Sequence, residues 1–419
     1  MVRAHAISPQ HEREPVLDVL RGFAILGILL VNIQFMKGTA WMIAAGSEPL
    51  RSAGLTADTI ADFVIGWLAS GKFLSSLALM FGIGAAMTSR RSQADQGAPR
   101  ALLRRRYAIL VVFGLAHMIL LYPGDILFIY GIAGLILLAF LHLTPRAVAL
   151  CAAALLCGYT LVMIQLVFLY APLAAVGGAD AIQAAPVASL SDLRAESIAV
   201  FTQGTYRDIV AVHASHALRL QEYQLPALPW ILALFMIGYA LGRTGVMDDL
   251  TAHRALLQRG AWAGITVGLA ANIALGYGGP LGSYSVAVAP GDTELLVMAT
   301  LAQAIGAPVL AAGYLCALAL YCVHRGPIRP LAAVGRMALT AYLLQSALAL
   351  AIITQCGLYD RLSTTQALIL VAVMWAVILT VCPLWLRRFR FGPAEWLWRS
   401  LSYGRLQPMR LPARRVEAG

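Results

Sequence analysis

The stretch LDVLRGFAILGILLVNIQFM, residues 17–36, is long and apolar enough to cross a bilayer, which takes about 20 residues at about 1.5 Å each. It nevertheless carries Asp18, Arg21 and Asn32. Asp18 and Arg21 are three residues apart on one helical face, so they are placed to pair near the helix entrance. Asn32 lies about 16 Å further along the helix on a similar face. The stretch therefore predicts either an anchoring ion pair with an amide that joins helices, or one wall of a polar cavity.

Composition predicts an all-α polytopic membrane protein. Of the 419 residues, 60% are hydrophobic and 12% are charged, whereas soluble domains are about 45–50% apolar and about 25% charged. The net charge of +11 is typical of the loops that orient a membrane protein, and we expect no nucleic-acid partner. All six cysteines lie in or beside apolar runs, which argues against a disulfide framework or a cysteine metal site.

Ten apolar runs are visible, at 17–36, 60–87, 106–122, 125–141, 147–170, 228–242, 260–277, 296–321, 331–353 and 366–386. When the segments between them are assigned alternately to the two sides of the membrane, 23 of the 31 basic residues fall on one side and six on the other. Basic residues concentrate in cytoplasmic loops. The bias therefore predicts about ten transmembrane helices with both termini in the cytoplasm.

This topology divides the chain into four parts. Residues 1–170 are an N-terminal five-helix membrane half with the RG and GDIL motifs, and residues 171–227 are one large extracytoplasmic loop. Residues 228–390 are a second five-helix half, and residues 391–419 are a cytoplasmic interfacial helix with a basic tail. We expect the loop to form one or two amphipathic helices that act as a lid or contact an acceptor. Its His213 and His216 share a helical face, but no third metal ligand is visible.

A histidine and an acid flank the shortest outer turn, Tyr122-Pro123-Gly124-Asp125. His117 lies about one and a half turns below the outer surface, and Asp125 is placed to cap the next helix. A histidine near an acid is a candidate general base, because its ordinary pKa lies near neutrality. The alternative is a hydrogen-bonded histidine that serves only packing.

Further polar side chains interrupt the apolar runs. Lys72 lies inside the second run, where it either extends to the membrane surface or adds a charge to a cavity. The ninth run opens with GRMALTAYLLQS. After Arg336, the residues Thr340, Gln345 and Ser346 form a polar line in its cytoplasmic half. The basic loop 88–105 is either a solvated anchor or a site for an anionic cytosolic ligand such as a nucleotide phosphate.

Several of these stretches resemble the bacterial DUF418 (YeiB-like) membrane proteins: LDVLRGFAILGILLVNIQF, FGIG, HMILLYPGDIL, GRMALTAYLLQS and FGPAEWLWRSLSY. That family is grouped with transmembrane acyltransferases, the acyltransferase-3 O-acetylases and the heparan-glucosaminide N-acetyltransferases. The resemblance implies a multi-pass protein of the bacterial cytoplasmic (inner) membrane. It also implies that an acyl group passes from a cytosolic acyl-CoA to an acceptor on the far side.

The first helix departs from the acyltransferase pattern. In acyltransferase-3 proteins it carries an Arg, ten residues and then a catalytic His, and here Arg21 and Asn32 keep that spacing with Asn in place of His. The lumenal N-acetyltransferases similarly have Asn at this point and their catalytic His in the following loop, but loop 37–59 contains no His. His117, on another helix, is the nearest remaining base. The family's Thr-Asn-Tyr in the ninth helix is Thr340-Ala341-Tyr342 here.

These residues and the resemblance lead to one main hypothesis. His117, oriented by Asp125, deprotonates an acceptor hydroxyl or amine near the outer face, and Asn32 donates to the thioester oxyanion. Acyl-CoA, with acetyl-CoA among the candidates, is the donor substrate, and we expect no tightly bound cofactor and no metal. Its binding is assigned to the remaining polar residues of the membrane part: Asp18, Arg21, Lys72, Arg336, Thr340 and Gln345.

Two alternatives stay open. The charges of Asp18, Arg21, Lys72, His117 and Asp125 also suit the substrate and proton-relay groups of a transporter or exporter, although the sequence shows no inverted repeat or clearly broken helix pair. In the other alternative, every polar residue serves helix packing in a non-catalytic scaffold. The expected partners are the lipid bilayer and a small-molecule, glycan or lipid acceptor, and homo-oligomer formation is left open.

Overall fold

The computed structural model describes residues 15–39, 54–94, 99–182, 187–278 and 293–411. Parts of four predicted features lie outside these ranges: residues 40–53 of loop 37–59, 95–98 of the basic loop, 183–186 of the extracytoplasmic loop and 412–419 of the basic tail. Within the described residues every regular element is helical, and one isolated bridge joins Phe389 and Arg410.

The helices follow one another in three groups. The first group is α1 (Pro15–Met36), α2 (Ala57–Leu68), α3 (Lys72–Ala94), α4 (Pro99–Leu120), α5 (Leu127–Leu137) and α6 (Pro145–Ile182). The second is α7 (Val187–Gln203), α8 (Tyr206–Gln224), α9 (Leu228–Gly242), α10 (Arg254–Ala271) and α11 (Ile273–Tyr277). The third is α12 (Thr293–Leu301), α13 (Ala307–Arg325), α14 (Arg329–Arg336), α15 (Ala338–Gln355), α16 (Thr364–Leu386) and α17 (Pro393–Tyr403).

Seven helical stretches among the described residues are long and apolar enough to cross a membrane. This confirms the predicted all-α polytopic membrane protein, while the count of ten spans and the sidedness stay predictions. Helices α7 and α8 occupy the loop for which one or two helices were expected. Helix α6 runs to Ile182, beyond the boundary expected at residue 170.

Helix α1 is the axis of the membrane part. It packs against α3, α13, α14, α15 and α16, and most of its side chains are buried. Its closest approach is to α14, where a Cβ on Gly22 would meet the Leu331 carbonyl and a Cβ on Gly335 would meet the Asp18 carbonyl. The absence of both side chains therefore allows the two backbones to touch.

Two side-chain hydrogen bonds tie α1 to the helices around it. The Gln345 amide of α15 donates to the Ile25 carbonyl at 3.0 Å, and the Trp375 indole of α16 donates to the Leu26 carbonyl at 3.0 Å. Polar groups inside a membrane protein are stable only with such partners. Gln345, predicted as a binding residue, therefore also has a structural partner on α1.

Four of the predicted runs are interrupted, although the sequence showed no broken helix pair. The second run breaks at 69–71, where Gly71 has φ +80°, and the seventh breaks at Asn272. The eighth contains the π-helical turn Ala302–Gly306, and the ninth breaks at Met337. A proline follows only the π-helical turn, at Pro308, and the break at 69–71 contains the pair Ser70-Gly71, which is also a usual signal for a kink. The breaks at Asn272 and Met337 carry neither signal.

Side chains satisfy backbone groups that these breaks release. The Lys72 ammonium group, fully buried, donates to the Gly66 carbonyl at the end of α2, with an N–O distance of 2.9 Å. The Trp230 indole donates to the Ala304 carbonyl inside the π-helical turn at 3.0 Å. Lys72 thus lies inside the fold and does not extend to the membrane surface.

Helix α17 closes the inner end of α15. The Glu395 carboxylate accepts the N–H groups of Leu339 and Thr340 at 2.6 and 3.0 Å, and it also accepts the Thr340 hydroxyl. The Trp398 indole donates to the Arg106 carbonyl of α4 at 3.0 Å. Burial raises the pKa of Glu395, although its hydrogen bonds act in the opposite direction. The predicted interfacial helix is thus also an N-terminal cap of α15.

Helices α3 and α9 cross as closely as α1 and α14. A Cβ on Gly82 would meet the backbone of Phe235 and Tyr239, and a Cβ on Gly238 would meet the backbone of Leu79. Gly84, two residues further along α3, has open space instead. The two glycines of α3 therefore form a matched pair for testing this contact.

We expect Gly82→Ala to destabilise the fold by about 1–3 kcal/mol, because the added methyl group forces the α9 backbone away. Thermal unfolding in detergent, followed by circular dichroism, measures the effect. Gly84→Ala is the control and should leave the melting temperature unchanged or slightly raised, since alanine favours helix. Equal melting temperatures for the two variants would contradict the close crossing.

Candidate functional site

His117 and Asp125 meet at the end of α4 that the charge bias assigns to the outer side. Nδ1 of His117 lies 2.7 Å from Oδ1 of Asp125, and both side chains are completely buried. Oδ2 of Asp125 accepts the N–H of Phe128 at 2.7 Å, so the acid also caps the start of α5 as predicted. Gly114 makes room for this contact, since a Cβ there would meet Phe128 and the Asp125 carboxylate.

A serine from a distant helix completes this arrangement. Nε2 of His117 lies 2.8 Å from Oγ of Ser346 on α15. Because an ionised Asp125 only accepts, Nδ1 of a neutral His117 donates to it, and Nε2 then accepts the Ser346 hydroxyl. Ser–His–Asp is the arrangement that activates a serine oxygen as a nucleophile. The structure therefore brings together a predicted base, a predicted acid and Ser346, which the sequence placed in the polar line of the ninth run without assigning it to the site.

Ser346 faces a pocket at the same end of the helix bundle. The enclosed space of the pocket is about 40 Å³, which is room for a few water molecules, since one water needs about 10–15 Å³ by the same measure. Most of its wall is apolar, and its lining residues are Phe35, Met36, Leu121, Tyr122, Pro123, Phe201, His213, His216, Leu220, Ser346, Leu350, Ile353 and Tyr359. Helices α1, α7, α8 and α15 each contribute to it. We call it the outer pocket.

Asn32 does not line the outer pocket, but it shares a face of α1 with two residues that do. It is buried on α1, and the pocket-lining residues Phe35 and Met36 follow it by three and four positions. Residues with that spacing share one face of a helix. The amide therefore lies on the face of α1 that carries pocket-lining residues one turn later.

Helices α7 and α8 cover the outer pocket and are held by polar contacts. The Arg194 guanidinium pairs with the Asp360 carboxylate at 2.9 Å, and the Tyr206 hydroxyl donates to the Leu120 carbonyl at 2.8 Å. Asp360 also accepts the N–H of Thr39 at 3.0 Å. The expected lid element is thus fastened to the α4 end and to the loop before α16.

Two histidines of α8 line the outer pocket. Burial lowers the pKa of His213 to about 4, helped by the nearby imidazoles of His216 and His117 and opposed by the backbone of Ile119. His216 has a partner in Ser197, whose Oγ lies 3.4 Å from Nε2. In the described part of the chain no group of three His, Cys, Asp or Glu side chains is arranged to hold a metal ion.

The predicted inner residues form a separate cluster. Arg21 pairs with Asp18 at 3.0 Å and approaches the Gly335 carbonyl at 3.4 Å. Gly335, which Arg21 approaches, directly precedes Arg336 in the chain. The contact between α1 and α14 therefore brings Arg21 and Arg336 to the same end of the bundle. Arg336 in turn approaches the Arg390 carbonyl at 3.5 Å. The side chains of this end are thus held by contacts between helices.

Three other predicted binding residues have structural partners. They do not line the outer pocket. Thr340 is bound to Glu395, Gln345 to the Ile25 carbonyl and Lys72 to the Gly66 carbonyl. The signal for Ser346 in the sequence was weak: a second polar residue directly after Gln345 in an apolar run.

Residues 241–405 match the model of the family described as "Protein of unknown function (DUF418)". The chain is 29% identical over 418 residues to "Uncharacterized protein YxaH" of Bacillus subtilis (strain 168), which covers 95% of this chain and 96% of that protein. It is also 29% identical over 408 residues to "Uncharacterized protein YeiB" of Escherichia coli (strain K12), covering 93% and 96% of the two chains. No solved structure matches the chain.

We expect Asp360→Asn to loosen α7, because it removes the ion pair with Arg194. Burial raises the pKa of Asp360, but hydrogen bonds from Thr39 and Arg194 lower it by more, so the pKa lies below its ordinary value. The contribution of the ionised Asp360 carboxylate to stability is therefore complete above about pH 4. It is lost as the pH falls through the pKa that Asp360 has in the folded protein. The protection of α7 is measured by hydrogen exchange of residues 187–203, corrected for the intrinsic effect of pH on the exchange rate.

The control is Asp192→Asn, an exposed acid on α7 itself. The wild type and the control should both lose protection of α7 only below about pH 4. The Asp360→Asn variant should exchange faster already at pH 7. Identical exchange in all three proteins at pH 7 would mean that Asp360 does not hold α7.

Proposed function

We propose that this membrane protein, of which residues 241–405 match the DUF418 family model, is a membrane-embedded acyltransferase. The observation that carries the proposal is the hydrogen-bonded chain Asp125–His117–Ser346, which ends in the outer pocket. A packing histidine needs one partner for each ring nitrogen. Here one partner is an acid and the other is a serine hydroxyl that lines a pocket, which is the order that nucleophilic catalysis requires.

The reaction proceeds in two balanced steps. In the first, Oγ of Ser346 attacks the acyl carbonyl of a thioester, His117 takes the serine proton, and the proton leaves with the thiol of coenzyme A. In the second, His117 deprotonates an acceptor hydroxyl or amine, which attacks the acyl-serine and releases Ser346. Asp125 stabilises the imidazolium that forms in each step and holds the imidazole in the required tautomer.

Asn32 is the candidate donor to the oxyanion. The negative charge that develops on the carbonyl oxygen needs a hydrogen-bond donor that is already in position. The amide group of Asn32 supplies two N–H donors, on the face of α1 that carries Phe35 and Met36. Losing one such donor typically lowers the rate by about 10²–10³. Asn32 thus stands where acyltransferase-3 proteins have their catalytic histidine, but it would donate to the oxyanion, while His117 would serve as the base.

The depth of Ser346 fits transfer from one side of the membrane to the other. Ser346 is the ninth of the 18 residues of α15, so it lies about 12 Å from the inner end of that helix. Arg21 and Arg336 at the inner end are suited to the phosphates of acyl-CoA, since guanidinium groups bind phosphate through paired donors. The pantetheine arm would carry the acyl group towards Ser346, and an extracytoplasmic or lipid-linked acceptor would enter through the outer pocket.

The helix interruptions favour transport as a second candidate function. Discontinuous membrane helices are typical of transporter binding sites, and the second and seventh runs are discontinuous at 69–71 and at Asn272. Lys72, buried at the first break, is a charge inside the membrane part, and such charges often mark a substrate or proton pathway. Substrate flux without consumption of acyl-CoA in proteoliposomes would support this candidate over acyl transfer.

We expect purified protein to take up radioactive label from acyl-CoA on Ser346. Ser346→Ala should abolish the covalent label, and His117→Gln should slow labelling by about 10²–10⁴, as expected for the loss of a general base. Ser76→Ala is the control, because Ser76 is a buried serine whose hydroxyl only donates to its own helix. Mass spectrometry locates the label. Equal turnover of acyl-CoA in wild type and Ser346→Ala would exclude the acyl-serine route.

We also expect Arg21→Ala to weaken acyl-CoA binding by about tenfold, the effect of losing one charge-assisted hydrogen bond. Isothermal titration of detergent-purified protein measures it. Because Arg21→Ala leaves Asp18 without its cation, the paired variant Asp18→Asn with Arg21→Gln removes both charges together. Arg254→Ala, at an exposed position on the predicted cytoplasmic side, is the control. A folded protein that binds no acyl-CoA would contradict the proposed donor.

A further inference from the structure

One face of α10 carries an open groove that is separate from the outer pocket. The groove is lined by Ala255, Gln258, Arg259, Trp262 and Ala263. These positions recur at the spacing of one helical face. Both polar side chains and the indole are exposed, so a ligand reaches them from outside the protein.

The packing of α10 on α13 fixes the depth of this face. A Cβ on Gly260 would meet Cys316, and one on Gly268 would meet Leu310, so the two helices run antiparallel. Helix α13 belongs to one of the seven stretches able to cross a membrane. The groove therefore lies along the side of the membrane part.

Two exposed aromatic side chains mark the level of the membrane surface. Trp262 of α10 is 69% exposed, and Tyr321 of α13 is 50% exposed. Trp and Tyr are enriched where the hydrocarbon meets the lipid headgroups. Tyr321 is five residues beyond Cys316, towards the end of α13 that lies beside the start of α10. Arg259 thus lies between the levels of the two rings, at headgroup depth.

The charge of this face is positive and has no counter-ion within the described residues. Helix α10 contains Arg254 and Arg259 and no acid. Neither guanidinium group has an ion pair or a hydrogen bond in the described part of the chain. The acids of the preceding loop are engaged elsewhere, since Asp248 pairs with Arg90 and Asp249 accepts a backbone N–H of its own loop.

We propose that this face of α10 binds an anionic phospholipid, with the lipid phosphate at Arg259 and Gln258 and the upper part of an acyl chain against Trp262. Guanidinium and amide groups both donate to phosphate oxygens. A zwitterionic lipid brings its own cation, so a face with two unpaired arginines favours the lipid with a net negative charge. The site does not depend on acyl transfer, because none of its residues lines the outer pocket.

Native mass spectrometry of detergent-purified protein measures the binding of phosphatidylglycerol and of phosphatidylcholine with the same acyl chains. Wild type should bind phosphatidylglycerol more tightly. Arg259→Gln should lower that affinity about fivefold, the contribution of one arginine near an anionic membrane surface, and leave phosphatidylcholine unchanged. Arg259→Lys should keep part of the preference. Arg146→Gln, which removes the same charge from an exposed position at the start of α6, is the matched control.

Photolabelling in nanodiscs locates the site. A phosphatidylglycerol that carries a diazirine on its acyl chain, near the headgroup, should label residues 254–271, and Arg259→Gln should lower that labelling about fivefold. Millimolar glycerol 3-phosphate, the soluble part of the ligand, should not compete. Thermal melting confirms that each variant is folded.

The outcomes decide the proposal in either direction. A loss of phosphatidylglycerol binding in Arg259→Gln but not in Arg146→Gln, with label on α10, supports it. Equal affinities in wild type and Arg259→Gln, an equal loss in both variants, or label spread evenly over other helices overturns it. Full competition by glycerol 3-phosphate would make this a site for soluble phosphate compounds and would overturn the lipid assignment.

Discussion

Hydrocarbon offers no hydrogen-bonding partner, so each polar group within the membrane must find one inside the protein. This constraint explains the interrupted helices. The Lys72 ammonium binds a carbonyl at the end of α2, and the Trp230 indole binds one in the π-helical turn. At the inner surface Glu395 does the same for the first N–H groups of α15. Most buried polar side chains of this protein thus hold the backbone together, and their presence alone does not identify a site.

The same constraint separates the outer pocket from the rest of the molecule. The chain Asp125–His117–Ser346 is fully paired, but its last member opens into a cavity. Beside it, Nδ1 of His213 is unpaired. Helices α7 and α8, which hold His213 in place, are attached by the Arg194–Asp360 pair and by Tyr206.

Several features followed from local sequence, because they depend on composition or short spacing. The apolar runs, the interfacial helix α17 and the two loop helices are of this kind, as is the approach of His117 to Asp125, eight residues away. Ser346 is 229 residues from His117, and only the packing of α15 beside α4 brings them together. The helix break at Met337 has neither a proline nor a Gly–Ser pair, so tertiary packing and side-chain partners decide it. The roles of Thr340 and Gln345 in helix packing were also hidden, because both depend on distant partners.

In the proposed reaction the base lies on α4 and not on α1, and this has a structural consequence. A first-helix histidine would depend on the position of the helix that forms the axis of the bundle. His117 is instead fixed between an acid that caps α5 and a serine on α15, so its orientation is set by three helices at the outer side. Helix α1 is left to contribute Arg21 at the inner end and Asn32 on the face that carries Phe35 and Met36. With the nucleophile at the centre of α15, a donor entering past Arg21 and an acceptor entering beneath α8 would meet the same oxygen from opposite sides.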